Sequence, residues 1–316
     1  MHSKTAWTLF PSFLVVVFFL FHFFPTEIGH PPFDDDALHV AKDSGDSCET
    51  LGTPQRSDLI PLPSEAYTRD RVLNTTNYVM GSLALSSTTS LLLALPRRFS
   101  SRIDQATGVY QSAGNSGDTF ARARAADPSN GIFIDVGGWV GDSSFTSAIC
   151  GIDTYVFEPV RYNTNLMHMS LLANDCVVSK HLCIVNTMVG DTDGMASIFV
   201  TADRADNAAQ TKAQAQKNVG ATMRDFTQTI SVVRLDSFFP SGTKVQNLKI
   251  DVQGNEFKVL TGAKRILQEN RGRLKLRFEA DDGLLKLANA SAKEIIVFMQ
   301  NLGYTIVKKG ENIDMS

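Results

Sequence analysis

Three short segments place acids, glycines and a lysine where a strand would turn into a helix. The first is Asp135-Val136-Gly137-Gly138-Trp139-Val140-Gly141. Glycines at such a turn let the backbone bend tightly and approach a ligand closely, and a purely structural turn uses them in the same way. The second, Thr154-Tyr155-Val156-Phe157-Glu158-Pro159, ends a hydrophobic run in an acid. A carboxylate there can accept hydrogen bonds from both hydroxyls of a ribose, and a glutamate that caps the next helix would look the same. The third is Leu248-Lys249-Ile250-Asp251-Val252-Gln253-Gly254-Asn255-Glu256. Charges inside a β-rich run are expensive unless they face a site or find partners. Asp251 has the alternative of ending its strand as a cap, and Glu256 that of sitting in the favourable first turn of a helix.

The elements that must hold these segments alternate. Strands are predicted at Ile132–Val136, Thr154–Phe157, Leu182–Val185, Ala196–Val200, Leu248–Val252, Leu274–Glu279 and Tyr304–Val307. Helices are predicted at Ser143–Cys150, Tyr162–Ala173, Glu256–Leu267 and Ala292–Leu302. This order implies a doubly wound α/β domain with a mostly parallel sheet and helices on both faces. Ligands of such sheets bind at the carboxyl ends of the strands. The segment Ala202–Met223 reads as a loose helix or an insertion. Tyr78–Leu95 is apolar but interrupted by Ser and Thr, and reads as a helix packed on the domain.

Ahead of this domain, Trp7–Phe24 is almost wholly apolar and uncharged, long enough as a helix to span a bilayer. Lys4 precedes it, and Asp34, Asp35 and Asp36 follow. The positive-inside rule then leaves residues 1–6 in the cytoplasm and makes 7–24 a signal anchor. Residues 25–95 become stem and packing helix, and 96–316 the catalytic domain of a single-pass type II protein in the Golgi or endoplasmic reticulum lumen. Asn74-Thr75-Thr76 and Asn289-Ala290-Ser291 are N-glycosylation sequons that matter only in such a lumen. The hydrophobic share of 43% allows a normal core, and a net charge of −3 gives no sign of a nucleic-acid partner. The four cysteines, Cys48, Cys150, Cys176 and Cys183, lack close metal spacing. A bridge between Cys176 and Cys183 is open, with buried free thiols the simpler reading.

Taken in order, the three segments resemble the FkbM-type methyltransferase family. That family shows D-V-G-A-N-x-G, then F-E-P, then K-I-D-V-E-G-x-E and a V-L-x-G-A helix. Here they read Asp135 to Gly141, Phe157-Glu158-Pro159, Lys249 to Glu256, and Val259-Leu260-Thr261-Gly262-Ala263. Leu235-Asp236 and Leu302-Gly303-Tyr304 match two smaller motifs. Trp139 stands where the family usually has Asn, and Gln253 where it usually has Glu.

The resemblance implies a class I methyltransferase fold with S-adenosylmethionine as cofactor. It puts Asp135, Gly137, Gly138, Trp139 and Gly141 at the methionine part, Glu158 at the ribose and Asp191 near the adenine. Asp251, Glu256 and Glu279 become candidates for acceptor binding or general-base work, Asp251 first. The acceptor is expected to be a glycan or other small-molecule hydroxyl, and no metal is called for. The lack of G-x-G-x-x-G speaks against a nicotinamide oxidoreductase. Trp139 and Gln253 keep open a catalytically silent binding module of the same fold.

Overall fold

The computed structural model describes residues 78–87, 89–104, 107, 109–110, 123–174, 176–201, 208, 210, 214, 225–310 and 312–316. The expected tail, anchor and most of the stem, the Asn74 sequon and most of Ala202–Met223 lie outside them. No helix among the described residues is long and apolar enough to cross a membrane.

Two central strands are short, largely apolar runs. β3 (Ile132–Val136) and β4 (Thr154–Phe157) are buried along nearly their whole length, as parallel strands covered on both faces must be. They pair with each other and with β5 (Leu182–Val185) on one side, and β9 (Val245–Ile250) and β10 (Lys275–Glu279) on the other. With β11 (Ile306–Lys309) and β12 (Asn312–Met315) at one edge, the sheet order is β11-β12-β10-β9-β3-β4-β5. After β3 the chain moves outward through β4 and β5, then returns to place β9 on the other flank of β3. The ends of β3 and β9 therefore form the topological switch point, where open α/β sheets leave a crevice for ligands.

Helices α1 (Asp142–Ala148), α2 (Arg161–Ala173) and α3 (Cys176–His181) follow β3 and β4. The helices α4 (Leu235–Phe238), α5 (Glu256–Thr261), α6 (Lys264–Glu269), α7 (Asp282–Leu287) and α8 (Ala292–Asn301) come later. One core cluster joins Ile134, Phe157, Leu248, Ile250 and Phe278 to the later helices. The other joins Val140, Phe145, Val156 and Leu166 to an N-terminal group of leucines.

Those leucines correct one expectation. Tyr78–Leu95 is not a helix but a hairpin of β1 (Tyr78–Ala84) and β2 (Ser90–Pro96), antiparallel with Ala84 opposite Ser90. The hydroxyl residues that seemed to interrupt a helix make the turn: Thr89 N donates to Ser86 Oγ (3.0 Å). Leu91 and Leu93 are buried while Leu92 is exposed, a period of two rather than 3.6. The hairpin is fixed to α2, where Ala94 N donates to Ser170 Oγ (2.9 Å) and Leu92 N to Asn174 Oδ1 (2.9 Å).

Other departures are smaller. Ala196–Val200 is a strand, but β7 (Gly194–Thr201) lies in a separate sheet, β6-β8-β7, with β6 (Met188–Val189) and the unforeseen β8 (Asp225–Val233). The single helix expected at Glu256–Leu267 is two, α5 and α6, broken at Gly262, where a Cβ would meet the Gly190 carbonyl oxygen at 1.9 Å. The last strand expected is two: β11 (Ile306–Lys309) and β12 (Asn312–Met315), with β12 antiparallel to both β10 and β11. Cys183 is disulfide-bonded, which overturns the free-thiol reading for it, whereas Cys150 is a free thiol.

Candidate active site

The turn after β3 and the loop after β9 are held edge to edge. Asp251 N donates to Val136 O (2.9 Å), so the β9 loop starts beside the β3 turn. Gly137 adopts φ +81°, and a Cβ there would overlap the Asp251 carbonyl oxygen. At Gly138 a Cβ would strike Val156 Cγ2 at 2.0 Å. The two glycines thus let the turn nest between the ends of β9 and β4, which brings their acids together.

A cavity of about 400 Å³ opens over this junction, a size usual for small-molecule sites. Its lining includes Gly137, Trp139, Glu158, Asp191, Asp251 and Glu279 among the residues expected from the sequence. The β6-β8-β7 sheet walls one side through Met188, Ile198 and Val232. Gln210 and Lys258 join the rim, with Lys258 Nζ donating to Gln210 Oε1 (2.6 Å).

Glu158 is buried and oriented by three donors. Its Oε2 accepts from Trp139 N (2.9 Å), and its Oε1 from Val160 N (2.9 Å) and Asn163 Nδ2 (3.2 Å). Burial pushes its titration up to about 7 against the pull of these bonds. A carboxylate oxygen has two acceptor sites, so Oε2 keeps room for a hydroxyl from the cavity. Asn163 was not foreseen; the only signal for it was its place one turn into the helix after the acid.

Asp135, Gly138, Gly141 and Glu256 do not line the cavity. Asp135 lies opposite Lys249 in the β3–β9 register and pairs with it (3.1 Å), and its second oxygen accepts from Ser144 Oγ (2.6 Å). Burial opposes the charge of Lys249, but Asp135, then Asp251 and Asp142, outweigh it and raise its titration. Gly141 is the left-handed N-cap of α1, with Phe145 packed against it. Glu256 faces its own loop: Oε1 accepts from Val252 N (3.1 Å) and Gly254 N (3.2 Å), while Oε2 is buried without a partner. Burial pushes Glu256 up to about 7.

Asp251 and Glu279 meet at the cavity. Gln253 Nε2 donates to Asp251 Oδ1 (3.3 Å) and to Glu279 Oε2 (3.3 Å). Burial, then Asp251, pushes Glu279 up to about 8. The N-cap of α5 is Asn255, so Asp251 does not cap that helix. Sequence reading missed Gln253 as a site residue although its identity stood out.

Both residues that depart from the family pattern occupy left-handed backbone, Trp139 at φ 50° and Gln253 at φ 56°. Trp139 packs on Phe99 of the 3₁₀ turn Arg97–Arg102 (ring centroids 5.1 Å apart), and its buried Nε1 has no partner. Arg98 and Arg102 lie over the same Phe99 ring at 4.7 and 5.2 Å. The hairpin and the turn after it thereby reach the wall of the cavity.

The smaller motifs hold the frame. Asp236 caps α6, accepting from Arg265 N (2.8 Å) and Ile266 N (3.0 Å). Tyr304 donates to the Leu267 carbonyl (2.8 Å) from a buried position.

A methyltransferase FkbM domain model matches residues 123–306, which contain β3 to β10 and every acid of the cavity. The chain belongs to the FkbM methyltransferase family. Its cofactor is S-adenosylmethionine, and the cavity fits such a ligand: it lies at the switch point, has the volume, and presents a buried carboxylate with a free acceptor site.

Among solved structures, the FkbM methyltransferase from Methylobacillus flagellatus is similar at 15% identity over 59% of this chain and 43% of that one, with a TM-score of 0.38. The chain thus spans less than half the length of that protein. Pyrococcus horikoshii TYW2, solved with MeSAdo, is 11% identical over 90% and 83% of the two chains (TM-score 0.39). Precorrin-6y C5,15-methyltransferase from Geobacter metallireducens is 10% identical over 63% and 83% (TM-score 0.33). No curated protein matches the sequence.

Proposed function

We propose that this chain is an S-adenosylmethionine-dependent O-methyltransferase whose acceptor is a hydroxyl of a glycan or another small molecule. The observation that carries the reading is the convergence of Glu158, Asp251 and Glu279 on one cavity at the switch point. In this reading Glu158 accepts from the ribose hydroxyls, Asp191 lies toward the base, and the backbone of Gly137 and Trp139 borders the methionine part. Bound there, the cofactor supplies a methyl group already activated on a sulfonium sulfur. The protein's work is then to orient the acceptor and take its proton. Asp251 is the base in this reading, because its carboxylate lines the cavity and faces a second carboxyl.

We further propose that the domain works in the lumen of the secretory pathway, behind a signal anchor at 7–24. The support is Lys4 before the apolar run and three acids after it. The exposed Asn289 sequon and a disulfide at Cys183 agree with an oxidising compartment.

Calorimetry with S-adenosylmethionine, then methyl release with candidate glycans, tests the function. No binding would remove the enzyme reading. Binding without transfer to any hydroxyl acceptor would favour the silent module. Protease protection in sealed microsomes tests the topology, and digestion of the domain without detergent would reverse it.

A further inference from the structure

Gln253 stands between two acids contributed by different strands of the sheet. Its Nε2 lies 3.3 Å from Asp251 Oδ1, just past β9, and 3.3 Å from Glu279 Oε2, at the end of β10. A carboxamide nitrogen carries two hydrogens, one for each carboxyl. The side chain is held there by left-handed backbone at φ 56°, which Gly or Asn would adopt with less strain. Strain kept at the wall of a cavity points to use rather than to folding.

Sharing one nitrogen brings the Asp251 and Glu279 side chains together, and after burial Asp251 is what most raises Glu279. Two neighbouring carboxyl groups are held most cheaply when one of them carries a proton. The charged groups that act most on Glu279 are all negative: Asp251, Glu256 at the start of α5, and Asp281 at the cap of α7. Lys249, by contrast, is drawn to Asp135, Asp251 and Asp142. Burial and these negative neighbours all raise Glu279, which favours its protonated form.

We propose that Gln253 is a positioning residue: its carboxamide clamps Asp251 and Glu279 into an acid–carboxylate pair and leaves the Asp251 carboxylate free to take the acceptor's proton. The proposal rests on the methyltransferase reading above. In the transfer, the bond from acceptor oxygen to methyl carbon forms as the sulfur–methyl bond breaks. The electron pair of that bond stays on sulfur, and the hydroxyl proton passes to Asp251. Glu279 keeps its own proton throughout. A glutamate at 253, the usual family residue, would instead set a third carboxylate against the pair.

The test needs no acceptor. Carboxyl groups of isotope-labelled Asp and Glu are titrated by NMR in the full chain. Wild type should show three glutamates titrating well above the usual range, Glu158, Glu256 and, highest, Glu279, and Glu279→Gln should remove the highest signal and so assign it. Gln253→Asn suits the left-handed backbone but is one methylene too short to bridge. It should raise the Glu279 midpoint by about half a unit or more, since an N–H donor to the pair is lost. Gln253→Glu should raise it by about one unit or more, since a negative charge is added. With an acceptor in hand, the acid limb of kcat/KM should move up in both variants.

An ordinary Glu279 titration in wild type, or a midpoint unmoved or lowered in both variants, would overturn the proposal. Such a result leaves the methyltransferase reading standing. Conversely, a chain that transfers no methyl group still shows whether the clamp exists.

Discussion

At the scale of single residues, Glu158 and Asp251 make opposite predictions. Glu158 is fixed by three donors at the cavity wall. Glu158→Ala should weaken S-adenosylmethionine binding by about 1.5–3 kcal/mol, the loss expected for hydrogen bonds to a charged group. Because burial lifts its titration to about 7, affinity in the wild type should also fall as pH drops below that value and the acceptor oxygens become protonated. Calorimetry across pH reads both effects, and an unchanged affinity in the folded variant would take Glu158 out of the site. Asp251→Asn should leave that affinity nearly intact and cut turnover by at least about a hundredfold. Asn255, not Asp251, is the N-cap of α5, so a cap role does not protect the variant. Wild-type turnover there would move the search for the base to Glu279.

Among the elements, how much the sequence disclosed depended on what each element packs against. β3 and β4 are legible because central parallel strands must be apolar nearly throughout, and β9 and β10 because Leu248 and Ile250, like Leu276 and Phe278, alternate with polar residues. β12 was not, since Asn312-Ile313-Asp314-Met315 alternates and borrows its burial from β10. The hairpin misled because Leu91-Leu92-Leu93-Ala94-Leu95 carries no clear period. The site follows the same division. Glu158, Asp251 and Glu279 were legible as acids at strand ends. Asp135 shares that signature and Glu256 opens the helix after the same loop, yet both turn inward, one to Lys249 and one to its own loop, and nothing in their spacing announces it. Gln253 was visible as a departure, but its reach depends on a backbone angle that no side-chain pattern encodes. Since the hairpin joins the core of the domain, Leu93, wholly buried in β2, should matter globally. Leu93→Ala should lower stability by about 2–5 kcal/mol in urea unfolding. A loss below about 1 kcal/mol would mean that the hairpin opens independently of the core.

For the molecule as a whole, three raised carboxyls among the described residues bear on the pH dependence of stability. Glu158 and Glu256 are pushed up to about 7 and Glu279 to about 8, each mainly by burial. Unfolded, all three return to the ordinary glutamate value of about 4.3. Between that value and their folded ones, the folded chain holds more protons than the unfolded chain. Stability must then fall as pH rises through this window and level off above about 8. At the acid end the sign reverses. Asp193 is lowered by its bonds from Arg234 and Ser237 against burial, so its contribution is lost as pH falls through its folded value. The ligand-free chain should therefore be more stable near pH 5 than at pH 8 by several kcal/mol, since Glu158 and Glu256 each hold an excess proton over about two pH units of this window, at about 1.4 kcal/mol per unit. Glu256→Gln separates this effect from catalysis. It keeps the oxygen that accepts from Val252 and Gly254, and removes one titrating group. Its melting temperature should fall less steeply from pH 5 to pH 8 than that of the wild type. A wild-type chain that grows more stable over that interval would show that these carboxyls are ionised in the folded state without penalty, and would leave the neutral Glu279 of the clamp without support.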